Sequence, residues 1–334
     1  MNLETNYLGL TLRNPVVASA GPLSQTADQI KKLGDGGVGA VVVYSLFEEQ
    51  VRRDAEEMMV LDEAVEGAFM EASSIFPDAA EVDPAQGYLS LIEKAKKVSE
   101  VPVIASLNGA SIGTWIEYAG KLEDAGADAL ELNVYFVPGD LSTSGASVEQ
   151  RHMEIVAGVK EVVDIPVAVK LSPYFSSIGQ MCVQLDRMGA DGLVLFNRFL
   201  QPDIDIDRME VKSGVSLSNP IEARLPRTWI AILRGHVKAS LAATTGVDTF
   251  EDVVKYILAG ADVVMTTSSL VRNGPEYAAT LVNGLESWLD QRGLTLEKAR
   301  GMLAIPKETD AASYERASYV EALGKAKLTY GSLQ

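Results

Sequence analysis

The chain has 334 residues, of which 47% are hydrophobic and 22% charged, a balance that excludes disorder as the main state. Its 29 basic and 46 acidic side chains give a formal charge of −17, which argues against nonspecific binding to nucleic acid or anionic membranes. A single cysteine, Cys182, excludes an intrachain disulfide, and two histidines, His152 and His236, leave little material for a His/Cys metal site or a histidine triad.

The opening MNLETNYLGL lacks a basic segment followed by an apolar stretch, and no run approaches about 18 apolar residues. The expectation is a cytoplasmic chain with no membrane span and no metal. Short β-branched runs then recur at 15–18, 40–45, 101–107, 129–135, 165–171, 192–197, 239–244 and 262–267. Several are apolar almost throughout, as strands buried on both faces of a parallel sheet must be. Helical periodicity fills the gaps, as at 112–125, 148–163, 177–188 and 249–259.

One local pattern repeats. GVGAVVV starts at Gly37, GADALEL at Gly126, GADGLVL at Gly189 and GADVVMT at Gly260. Each closes a helix with a glycine that tolerates a left-handed backbone, then opens a strand. Eight strands with intervening helices predict one (β/α)8 TIM barrel over residues 1–334, with an open doubly wound sheet as the alternative. Residues 48–87 break the rhythm and read as an insertion after the second strand, either a lid, an interface element or a solvated surface. The tail at 295–334 is charged and helical in character and is expected to pack on the outside of the barrel.

The working end of such a barrel is where the strands end. Those ends offer Ala18, Ser19, Ala20 and Gly21, then Tyr44 and Ser45, Asn108, Asn133 and Tyr135, Lys170, Asn197 and Arg198, Thr245 and Gly246, and finally Thr267 and Ser268. The set is small and polar, nearly free of carboxylates, and suits a cradle of donors around a cofactor. The last two loops are where barrels often bind phosphate. The alternative there is that Thr and Ser merely cap the helices that follow. Lys170 interrupts an apolar strand, where an unpaired ammonium is costly. It can serve an anionic cofactor group, form a Schiff base, or pair with Glu131. Asn133 and Asn197 suit a planar heterocycle with mixed donors and acceptors, or are satisfied buried amides. Cys182 lies in a helical pattern away from any strand end and reads as a structural thiol. Gly34–Gly39 match G-x-G-x-x-G but precede a strand, so the dinucleotide context is missing.

The ordered series NPVVASAG, VPVIASLNG, ELNV, VAVKLSPYF, LFN, TTGVDTFEDV and RNGP resembles the dihydroorotate dehydrogenase family of FMN-containing barrels, from about Leu3 to Asn283. The resemblance implies FMN at the strand ends. Ala18, Ser19, Ala20 and Gly21 would line the flavin, and Ser45, Asn108 and Asn133 would hydrogen-bond it. Lys170 would face its pyrimidine edge. Gly246 and Ser268 would hold the phosphate, with Thr245 and Thr267 beside them as further cofactor-binding residues. It also implies a homodimer and leaves room for a redox partner protein, since no cysteine cluster for an iron–sulfur centre exists in this chain.

The substrate side departs from the family. The residue three after the ELN asparagine, a Cys or Ser base in the family, is Phe136, and Pro138 stands where a second asparagine is usual. Tyr44 replaces a lysine, and Arg198 follows Asn197 where a small polar residue is usual. Asn133, Phe136, Asn197 and Arg198 therefore frame a rewritten substrate site, with Lys170, Tyr135 and Tyr44 as candidate catalytic groups. Four readings follow: an FMN oxidoreductase acting on another small planar carbonyl or enoate; an authentic dihydroorotate dehydrogenase with a displaced base; a non-catalytic flavin-binding partner; and a flavin-free Schiff-base enzyme.

Overall fold

The computed structural model describes residues 2–52, 85–109, 111–135, 139–198, 202–212, 214 and 216–331. Two short strands come first, β1 (Thr5–Tyr7) and β2 (Leu10–Leu12), paired antiparallel. The barrel follows as β3 (Val16–Ala18), β4 (Ala40–Phe47), β5 (Val103–Asn108), β6 (Ala129–Asn133), β7 (Val167–Leu171) and β8 (Gly192–Leu195). A small hairpin, β9 (Asp203–Asp205) and β10 (Glu210–Lys212), intervenes before β11 (Ser240–Ala243) and β12 (Val263–Thr266). The eight barrel strands are all parallel and close in the order β11-β12-β3-β4-β5-β6-β7-β8. All eight expected strands are therefore present, and the open-sheet alternative falls.

The repeated glycines do what their pattern requires. Gly37, Gly126, Gly189 and Gly260 have φ of 113°, 91°, 97° and 122°, a region that side chains with a Cβ avoid. Each turns the chain from a helix into the next strand. Strand alternation then builds two cores. Val17, Val42, Ile104, Ala168, Val194 and Met265 point inward, while Val41, Val103, Leu130, Val169 and Leu193 pack under the helices.

The N-terminal hairpin plugs the bottom of the barrel. Its two-residue turn places Leu8 at φ 56° and Gly9 at φ 77°, the backbone of a tight antiparallel hairpin. Tyr7, Leu8 and Leu12 are buried against the inward-facing core. Gly192 makes room for the plug: a Cβ there would stand 2.5 Å from Leu8 Cδ2. The alternation of TNYLGLTL carries this signal, but the segment is too short for periodicity alone to mark two strands.

The tail divides into two parts. Leu296, Ala299 and Ile305 are buried, and the amides of Gly301 and Ile305 donate to the carbonyls of Ile257 and Ala231, so this part packs on the barrel as expected. The helix Ala311–Tyr330 does not. Tyr314, Tyr319, Val320, Leu323 and Leu328 are all exposed, because its apolar residues are scattered around the axis instead of forming one face. Of the 48–87 insertion, residues 53–84 lie outside the described residues. No helix among the described residues is long and apolar enough to cross a membrane.

Candidate active site

Period-two alternation decides which side chains reach the mouth of the barrel. Ala129 faces inward in β6, so Glu131 and Asn133 share its face; Ala168 does the same for Lys170, and Ile104 for Ser106. In β4 the register shifts between Val42 and Ser45, an irregularity that turns Ser45 toward Ser106.

The inward polar groups form a chain. The Ser45 and Ser106 hydroxyls are 2.8 Å apart, and Asn133 Nδ2 donates to Ser45 Oγ at 3.1 Å. Asn197 Nδ2 donates to Asn133 Oδ1 at 2.6 Å. Lys170 Nζ donates to Glu131 Oε1 at 3.4 Å, with the two side chains 10% and 1% exposed. The pairing of Lys170 with Glu131 is thus present, and it coexists with a place for the ammonium at the pocket wall. Below it, Glu131 Oε2 and the Tyr7 hydroxyl are buried with no hydrogen bond among the described residues. Burial, reinforced by the Glu131 charge, holds the Tyr7 phenol well above its usual range.

The pocket above Lys170 is lined by Ser19, Asn197, Arg198, Ser218, Thr245, Thr267 and Ser268. Its loops are tied together by hydroxyls. Ser218 Oγ lies 2.9 Å from Ser268 Oγ and accepts from Gly246 N at 3.2 Å. Ser19 Oγ lies 2.8 Å from Thr267 Oγ1, and Thr245 Oγ1 donates to the Phe196 carbonyl at 3.1 Å. Tyr256 holds the same loop from behind, its hydroxyl donating to the Thr245 carbonyl at 2.7 Å. Two glycines are close approaches. A Cβ on Gly246, at φ 71°, would stand 2.6 Å from the Asn219 carbonyl oxygen, and one on Gly21 would stand 2.6 Å from Thr267 Cγ2.

Other expected residues lie elsewhere. Asn108 and Tyr135 line a separate recess with Gly109, Trp115 and Arg151. Tyr44 does not line the Lys170 pocket. The β4 irregularity places its ring among the residues packed against the outer core, edge-on to Tyr88 with centroids 5.1 Å apart. Ala18 is buried at the end of β3, with Ala20 packed against the inner core. Phe136 and Pro138 lie outside the described residues. Cys182 is fully buried, and burial pushes its thiol up to about 12; burial likewise lowers the His152 imidazole, whose Nδ1 lies 2.7 Å from the Val148 carbonyl. Sequence reasoning missed Ser106 and Ser218. Strand parity would have found Ser106, whereas Ser218 sits in an irregular loop with no periodic signal.

The donors at this mouth are hydroxyls, amides, the Lys170 ammonium and the Arg198 guanidinium, and the Glu131 carboxylate beneath them is paired with the ammonium. Hydroxyls around a crowded glycine backbone suit a phosphate, and amides beside an ammonium suit an electron-poor heterocycle, so the set fits a phosphorylated flavin. A family model described as dihydroorotate dehydrogenase matches residues 2–289. The chain is 28% identical over 301 residues to the dihydroorotate dehydrogenase B (NAD(+)) catalytic subunit of Methanothermobacter thermautotrophicus, covering 88% of this chain and 95% of that one. It is 29% identical over 304 residues to the protein of the same name from Methanosarcina acetivorans, covering 89% and 94%. With the Methanocaldococcus jannaschii protein of that name the identity is 28% over 309 residues, covering 90% and 97%. With its closed eight-stranded barrel and its match along nearly the whole length, the chain belongs to the dihydroorotate dehydrogenase family of oxidoreductases.

Proposed function

We propose that the chain is an FMN-dependent oxidoreductase in which hydride passes between flavin and a small planar carbonyl or enoate. The observation that supports this most is the Lys170 pocket: a partly neutralised ammonium beneath a wall of hydroxyls and amides. FMN, when bound, supplies two-electron chemistry that no side chain of this chain can perform. The residues supply the rest. Ser218, Thr245, Gly246, Thr267 and Ser268 hold the phosphate. Ser19, Gly21, Ser45 and Asn133 seat the ring. Lys170 places positive charge where negative charge develops, and preorganised groups of this kind provide much of the rate enhancement in many enzymes. Asn133 and Asn197 fix each other by their amide bond and orient the substrate.

Proton transfer is the part rewritten from the family. Phe136 cannot take a proton. This favours reduction of an activated double bond, and Tyr135, which lines a separate recess from Lys170, is not placed to supply its proton. A second reading, oxidation of dihydroorotate itself, is favoured by the length over which the named relatives match. Because those relatives are catalytic subunits by name, we infer a separate redox protein as electron partner; the homodimer rests on the family resemblance alone.

Anaerobic absorbance titration of the FMN-loaded protein with dihydroorotate tests the reading. A flavin spectrum that persists is the expected result. Bleaching on a catalytic timescale establishes the second reading instead, and a chain that takes up no FMN overturns both.

A further inference from the structure

A second recess, of about 350 Å³, adjoins the Lys170 pocket and shares Phe196, Asn197, Arg198 and Thr245 with it. Pro173 and Tyr174 after β7 form one wall. Ile221, in the 3-10 turn Pro220–Ala223, and Leu225 and Pro226, at the start of the helix Arg224–Leu233, form the other. Tyr174, Ile221 and Leu225 are 64%, 72% and 49% exposed, so three large apolar side chains face solvent around one opening. Clustered exposure of that kind marks binding surfaces more often than scattered apolar residues do.

The charge of the recess runs against that of the chain. Arg198 and Arg224 both line it, against one carboxylate, Glu222. Arg198 Nε donates to Glu222 Oε1 at 3.0 Å and its Nη1 to the Ser216 carbonyl. Its Nη2 makes no hydrogen bond among the described residues, and Arg224 makes no ion pair among them. Glu222 is itself engaged on its other oxygen, accepting from the Asn219 amide at 2.7 Å. Arg198 is therefore held in place at two of its nitrogens with the third left for a ligand. A planar guanidinium fixed in this way suits a carboxylate.

We propose that this recess binds the substrate as an amphipathic carboxylate. The acid group meets Arg198, and a flat apolar body lies between Tyr174 and Leu225 with its other edge toward Asn197. Calling this ligand the substrate rests on the function proposed above; its binding does not require flavin. The ligand class is an aryl- or alkyl-substituted enoate, larger and more apolar than a free pyrimidine acid.

Isothermal titration separates recess binding from the flavin reaction. Cinnamate, cinnamamide and orotate are titrated into the wild-type chain, with and without FMN, and into Arg198→Gln and Glu222→Gln. Cinnamate should bind about tenfold more tightly than cinnamamide, the size of one charge-assisted hydrogen bond. Arg198→Gln should reduce cinnamate to the level of the amide. Glu222→Gln should tighten it about threefold by removing the competing carboxylate, so a second variant tests the recess if the first folds poorly. Equal affinity for acid and amide overturns the proposal, as does undiminished cinnamate binding to Arg198→Gln. Orotate binding with no cinnamate binding overturns it and supports dihydroorotate as substrate. A chain that takes up no FMN yet selects cinnamate supports the recess while overturning the proposed function.

Discussion

Around the Lys170 pocket, nearly every polar side chain is held by another: Ser218 by Ser268, Ser19 by Thr267, Asn133 by Asn197 and Lys170 by Glu131. Around the neighbouring recess, the large apolar side chains of Tyr174, Ile221 and Leu225 face solvent beside an anchored Arg198. The first is a prebuilt mould, with its ordering cost met when the chain folds. The second is a surface that gains its contacts only when a ligand arrives. Mutations should therefore cost folding stability in the first and binding alone in the second.

Lys170→Met should break this comparison most visibly if it is wrong. It leaves Glu131 as a buried, unpaired charge, so urea denaturation should show a loss of about 3 kcal/mol. The double variant Lys170→Met with Glu131→Gln should recover most of it. Gly246→Ala should cost about 2 kcal/mol, because a Cβ must enter a positive-φ site 2.6 Å from the Asn219 carbonyl. It should also lower FMN affinity by about tenfold or more, read from flavin fluorescence on titration. Ser218→Ala removes the hydroxyl shared by Gly246 and Ser268 and should cost about 1 kcal/mol by the same denaturation assay. Leu225→Ser, on the exposed rim, should change stability by no more than about 0.5 kcal/mol. A loss as large as that of Ser218→Ala would show that the recess is prebuilt as well.

The sequence carried the barrel almost completely, because parallel strands buried on both faces have to be apolar and helix-to-strand turns have to be glycine. The four repeated glycines, all at positive φ, are one grammar stated four times. The site was legible where it sits on strands. Asn133, Lys170 and Glu131 share an inward face by alternation, so their proximity followed from parity. It was illegible where geometry departs from the period. The β4 irregularity moves Tyr44 out of the expected set, and no pattern announces one extra residue in a strand. Ser218 reaches the pocket from a loop, and Tyr135 enters a different recess because the chain turns just past Asn133, with the Tyr135 amide donating to the Asn133 carbonyl at 2.8 Å.

The N-terminal plug ties the order of synthesis to the closing of the barrel. Leu8 N donates to Ser240 Oγ across 232 residues, Thr5 Oγ1 to the Asp262 carbonyl across 257, and Arg300 to Thr5 Oγ1 across 295. At translation rates of roughly 5–20 residues per second, the hairpin leaves the ribosome roughly 10–50 s before its seat exists. During that interval Tyr7, Leu8 and Leu12 have no cavity to enter. The hairpin is made before every strand of the barrel yet is among the last parts to find its place, and a nascent chain stalled before residue 240 holds an unplugged, unclosed sheet.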